Sequence, residues 1–154
     1  MAFEMVGTGA MVSELEIRRA EKRIGVIFPP EYREFLLKYN GGRPVAKYFQ
    51  IPESEFRNVG KVLDFFGLDD PVESCNIDWN CEVYKKRIPS GFLPIACEDG
   101  GNIVCIRSAP PDLGAIYYWN HDFEGASLSY KSLYKISSSL NEFLTNLVPA
   151  GDIR

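Results

Sequence analysis

The chain has 154 residues, 45% of them apolar and 25% charged, with a formal net charge of −4. That size and balance fit one domain with its own core and exclude an intrinsically disordered chain. There is no basic tract to neutralise a phosphate backbone, no apolar run near the length of a membrane span and no secretory leader, so nucleic acid and membrane are not expected partners and a cytoplasmic location is.

Residues 1–12 read as a loose arm. Ser13 and Glu16 then form a capping-box pattern, with Ile17, Ala20 and Ile24 at helical spacing and Gly25 as the stop. Phe28, Pro29 and Pro30 break the chain and open a second helix, whose stripe is Tyr32, Phe35, Leu36 and Tyr39. Asn40, Gly41 and Gly42 end it. A first strand is expected over Val45 to Ile51, bounded by Pro44 and Pro52. Val59 to Phe66 is read as a strand, with a helical turn as the alternative. In the polar section Asp70 to Arg87, the positions Ile77, Cys81 and Tyr84 fit a helix that Asn76 or Asp78 could cap.

A β-meander follows. Pro94 and Ile95 open one strand, Glu98 to Asn102 reverses the chain, Ile103 to Ile106 returns, and Ala115 to Trp119 is the next strand. Ser127 to Ile136 has no clear period. Ser139 and Glu142 form another capping box, before a last helix with Leu140, Phe143, Leu144 and Leu147 inward and Pro149 as its stop. Hairpin-like links, rather than long crossovers, predict a single α+β domain: a central, largely antiparallel mixed sheet with helices at both ends. The expected division is an arm over 1–12, a domain over 13–147 and a tail over 148–154.

Candidate chemistry is sparse. Cys75, Cys81, Cys97 and Cys105 lack the short spacings of a zinc site, and read as reduced thiols, with Cys97 and Cys105 facing each other across the hairpin. Glu98 and Asp99 beside Gly100 and Gly101 suggest a phosphate or metal loop, but the glycines lead into a strand and not a helix, so a turn is the better reading. His121 is the single histidine. Its neighbour Asp122 would point to the opposite face of a strand, and no serine elbow accompanies it. Tyr84 to Arg87 could touch RNA, yet cations at a helix end account for the cluster equally. No catalytic residue, metal site or cofactor is assigned. Tyr117 and Trp119 project to one face of their strand and Tyr118 to the other. One of these faces shows an aromatic to a partner, unless helices cover both.

Four blocks in order carry a resemblance: Glu14 to Gly42 with its Phe28–Pro29–Pro30 break, Phe92 to Ala96, the Gly100 to Asn102 turn with Gly114 to Asp122, and Leu140 to Leu147. Together they resemble the SUKH superfamily, which includes fungal regulators of cell-wall glucan synthesis and many bacterial immunity proteins. The resemblance implies a non-enzymatic protein-binding module that neutralises a cognate toxin domain, in some cases a nuclease, by direct contact in the cytoplasm. A regulatory scaffold in cell-wall or envelope control is the second reading, and a small hydrolase using His121 the third. The contact residues expected are Glu98, Asp99, Trp119, Asn120, His121, Asp122 and Glu124. The Asp69 to Arg87 segment departs most from the family pattern and is a further candidate for partner specificity.

Overall fold

The computed structural model describes residues 3–52, 58–123 and 132–153. Among these described residues, eight strands and four α-helices follow in chain order: β1 Met5–Val6, α1 Glu14–Ile24, α2 Pro30–Lys38, β2 Arg43–Pro44, β3 Tyr48–Gln50, β4 Val59–Phe65, α3 Ile77–Val83, β5 Phe92–Glu98, β6 Asn102–Arg107, β7 Ile116–Trp119, β8 Leu133–Ser137 and α4 Leu140–Thr145. The result is an α+β domain with helices near both ends.

Local chemistry sets the helix ends. The Ser13 hydroxyl accepts from the Glu16 N–H, and the Glu16 carboxylate accepts from the Ser13 N–H, closing a reciprocal box at the start of α1. Gly25 ends α1 in the left-handed region, at φ 83°. Pro30 opens α2, where its missing N–H has no helical partner to lose. Ser139 accepts from Glu142 N–H at the start of α4. Asn76 precedes α3, but its side chain does not cap it. It turns back instead, accepting from Asp70 N–H and donating to the carbonyls of Asp70, Val72 and Glu73. Asn76 therefore organises the preceding loop.

The six-stranded sheet runs β3-β4-β5-β6-β7-β8, each strand beside its chain neighbour, and every named pairing is antiparallel. α3 is inserted in the link from β4 to β5. The first strand is shorter than expected, Tyr48–Gln50, and Ser127 to Ile136 partly resolves into β8 at Leu133–Ser137; residues 127–131 lie outside the described residues. The segment before α1 is tied down. Met5–Val6 pairs with Arg43–Pro44, Gly9 N–H donates to Tyr39 C=O, and the Asn40 amide donates to Ala10 C=O.

Phe65, Ala96, Val104 and Tyr118 form one cross-strand row. Phe65 packs on Phe35 of α2, and Tyr118 on Phe49, which meets Phe143 of α4. Because side chains alternate across a strand, Trp119 faces the other way. There it meets Tyr84 and Arg87, just beyond α3. Tyr118 and Trp119 are thus covered on the two faces of β7, while Tyr117 packs on Phe92 and stays partly exposed.

Candidate functional site

The site begins with a turn. β5 and β6 pair Glu98 with Asn102, so Asp99, Gly100 and Gly101 form the reversal, with both glycines at positive φ. This centres the hairpin on Gly100. Cys97 consequently pairs with Ile103 and Cys105 with Pro94, so the two thiols do not face each other across the ladder as expected. A register shift between Pro94 and Ala96 adds to the offset.

The strand period separates two adjacent acids. Glu98 shares the face of Ala96 and is only 2% exposed, while Asp99 in the turn is open to solvent. The buried carboxylate is well supplied with donors. Its Oε1 accepts from Tyr118 Oη at 2.8 Å and from Asn102 Nδ2 at 3.1 Å, and its Oε2 accepts from Lys61 N–H at 3.2 Å. Asn102 Nδ2 also donates to Tyr118 Oη at 2.6 Å. With its amide nitrogen committed, Asn102 presents Oδ1 to His121, accepting from the backbone N–H at 3.0 Å and meeting Nδ1 at 2.6 Å. An acceptor in that position requires the His121 proton on Nδ1. Nε2 is left towards Asp122, 3.3 Å from its Oδ1.

The expected contact residues therefore divide. Asp99 and Asp122 are exposed and His121 is half exposed; these three reach solvent at the hairpin tip. Glu98, Trp119 and Asn120 are buried, so their side chains cannot be the first contact of a partner. Asn120 instead accepts from Asp122 N–H at 3.0 Å, shaping the turn that carries His121 and Asp122. Glu124 lies outside the described residues. Sequence reasoning missed Asn102 and Tyr118, the two residues that link Glu98 to His121. A usable signal existed for Asn102, which must face Glu98 across any hairpin centred on Gly100.

The cysteines are unpaired thiols. Burial pushes the Cys97 thiol up to about 11 and, with Asp78 nearby, the Cys81 thiol up to about 12; burial raises Cys105 further. At pH 8 these three should react slowly with a thiol-specific disulfide reagent while the chain is folded, with Cys75 reacting first. Four equally fast native thiols would contradict this packing. Among the described residues, no group of three His, Cys, Asp or Glu side chains is placed to hold a metal ion, and no helix is long and apolar enough to cross a membrane.

Comparison with known proteins adds two findings. A family model described as SMI1 / KNR4 family (SUKH-1) matches residues 11–146, a span holding α1, the sheet and α4. A Bacillus subtilis (strain 168) protein, described as an SPbeta prophage-derived uncharacterized protein, YokK, is 27% identical over 161 residues. The alignment covers 95% of this chain and 77% of that protein.

Proposed function

We propose, from the premise that this chain belongs to the SMI1 / KNR4 (SUKH-1) family, that it is a binding protein that neutralises a cognate toxin domain by direct, stoichiometric contact. The observation that carries this reading is the hairpin tip, where Glu98, Tyr118 and Asn102 are spent on one another and on His121, and act as a rigid base. What the base presents outward is two carboxylates, Asp99 in the turn and Asp122 beside the His121 ring. Fixed negative charge of this kind suits a cationic surface, such as that of a nuclease, which must itself attract phosphates. The prophage origin of the Bacillus subtilis relative fits a protein carried with mobile toxin genes.

The test is charge reversal at the tip. Asp99→Lys with Asp122→Lys is expected to weaken binding of the cognate toxin domain by about 10-fold or more, through slower association at low salt, with the melting temperature unchanged. Equal affinity of the double variant and the parent would remove the tip as the contact. A regulatory scaffold, by contrast, would bind no toxin domain at all.

A further inference from the structure

The opposite end of the β5–β6 hairpin carries a second surface with the reverse chemistry. Phe92 and Arg107 pair there, roughly 20 Å along β5 from Glu98. Two loops come together at this end, and each presents an exposed aliphatic side chain. Ile27, in the turn between α1 and α2, is 75% exposed, and Leu113, between β6 and β7, is 54% exposed.

Neither exposure comes from a loose loop. The Ile27 turn is clamped by the buried Glu21, which accepts from Phe28 N–H and from Arg33 Nη1, while Glu21 C=O accepts from Gly25 and Val26 N–H. The Leu113 loop is held from both sides. Arg107 lies over Phe92 and donates to the carbonyls of Gly91, Pro110 and Pro111. Asp112 accepts from Tyr117 Oη at 3.0 Å and from Lys135 Nζ at 3.2 Å. Apolar side chains held in fixed positions on the surface cost little ordering entropy when a partner covers them.

The two residues belong to one surface. A depression lined by Ile27, Pro30, Pro110 and Leu113 shares Ile27 and Arg33 with a second, in which Arg18 and Lys22 of α1 border Ile27. The acids nearest this surface are engaged: Glu21 and Glu14 share Arg33, and Asp112 meets Lys135. Arg18 and Lys22 have no ion-pair partner among the described residues, so this end carries excess positive charge beside its aliphatic pair.

We propose that this end docks an acidic, amphipathic protein segment, whose aliphatic side chain covers Ile27 and Leu113 while its carboxylates meet Arg18 and Lys22. A nucleic acid is the poorer fit. Bases stack on aromatic rings, and the exposed groups here are aliphatic. The chain as a whole is also negative, at −4. The proposal does not depend on the toxin reading, because it concerns the other end of the molecule and a partner of opposite sign.

The experiment titrates the isotope-labelled full chain with a synthetic amphipathic helix of Leu and Glu, and with its Leu and Lys counterpart, following backbone amide shifts. The Glu peptide is expected to move residues 18–27 and 108–114, and the Lys peptide to bind at least 10-fold more weakly. Ile27→Asp should weaken the Glu peptide by about 10- to 100-fold, the loss expected when a buried aliphatic contact is removed. Arg18→Glu with Lys22→Glu should reverse the peptide preference. Both variants change exposed side chains, so unchanged melting temperatures verify the fold. Equal binding of the two peptides, or shifts confined to other regions, overturns the proposal. Tighter binding of a single-stranded oligonucleotide at the same residues overturns it in favour of nucleic acid. Concentration-dependent dimerisation abolished by Ile27→Asp overturns it in favour of a second copy of the chain.

Discussion

Trp119→Ala is expected to destabilise the fold by about 3–5 kcal/mol, the range for deleting a fully buried large aromatic side chain. Trp119 is completely buried near the end of β7. Its ring meets Tyr84 edge-on at 5.6 Å, and the Arg87 guanidinium lies 5.3 Å from its centroid and 5.0 Å from that of Tyr84. These contacts fasten the segment after α3 to the sheet. Truncation should therefore do two things: lower the midpoint of urea unfolding followed by far-ultraviolet circular dichroism, and raise hydrogen exchange over residues 84–88 well above the rest of the chain. Trp119→Phe should cost much less, about 1–2 kcal/mol, because it keeps an aromatic edge and removes an indole N–H that has no hydrogen-bond partner among the described residues. A loss below 1 kcal/mol for the alanine variant would contradict the packing described.

Glu98→Ala has the second large expected effect, about 3 kcal/mol or more. The carboxylate is the acceptor for Tyr118 Oη, Asn102 Nδ2 and Lys61 N–H, and its removal strands buried donors, each costing about 1–3 kcal/mol. Glu98→Gln separates charge from shape. Its carbonyl can still serve Tyr118 and Asn102, but its amide would meet the Lys61 N–H donor to donor, so an intermediate loss of about 1–2 kcal/mol is expected. The alanine variant should also free Asn102, and with it the His121 ring. The imidazole resonances should then lose the signature of a fixed Nδ1 proton. Unchanged ring signals in a folded Glu98→Ala variant would show that the Asn102 link does not orient His121.

Much of this architecture is written locally, and those parts are legible in the chain. Ser13, Gly25, Pro30 and Ser139 mark helix ends through hydrogen bonds and φ values that need only neighbouring residues. The meander is legible for the same reason, since Gly100 and Gly101 supply the positive φ of the reversal. β8 is not. Lys135 and the flanking serines blur its alternation, and the strand is defined by pairing with β7 rather than by its own pattern.

The site depends more on long-range geometry. Period-two alternation places Tyr118 and Trp119 on opposite faces, and the structure does so too. What alternation does not contain is the cover: the Tyr84 and Arg87 side chains that close over Trp119 come from a segment 30 residues or more away. Glu98 and Asp99 look equivalent in the chain, yet the pleat buries one and exposes the other. The Glu98, Asn102, Tyr118 and His121 network joins residues from three strands and a following turn, so no single spacing announces it. Ile27 sits inside the apolar run Val26 to Phe28, and the fold turns it outward.

The proposed stoichiometric neutralisation is tested most directly by titrating a cognate toxin domain with this protein while following toxin activity. Activity is expected to fall linearly to zero at a fixed molar ratio, with a matching complex in calorimetry and an unmodified toxin mass afterwards. Complete loss of toxin activity at a few hundredths of an equivalent, with a changed toxin mass, would contradict it and make the protein an enzyme.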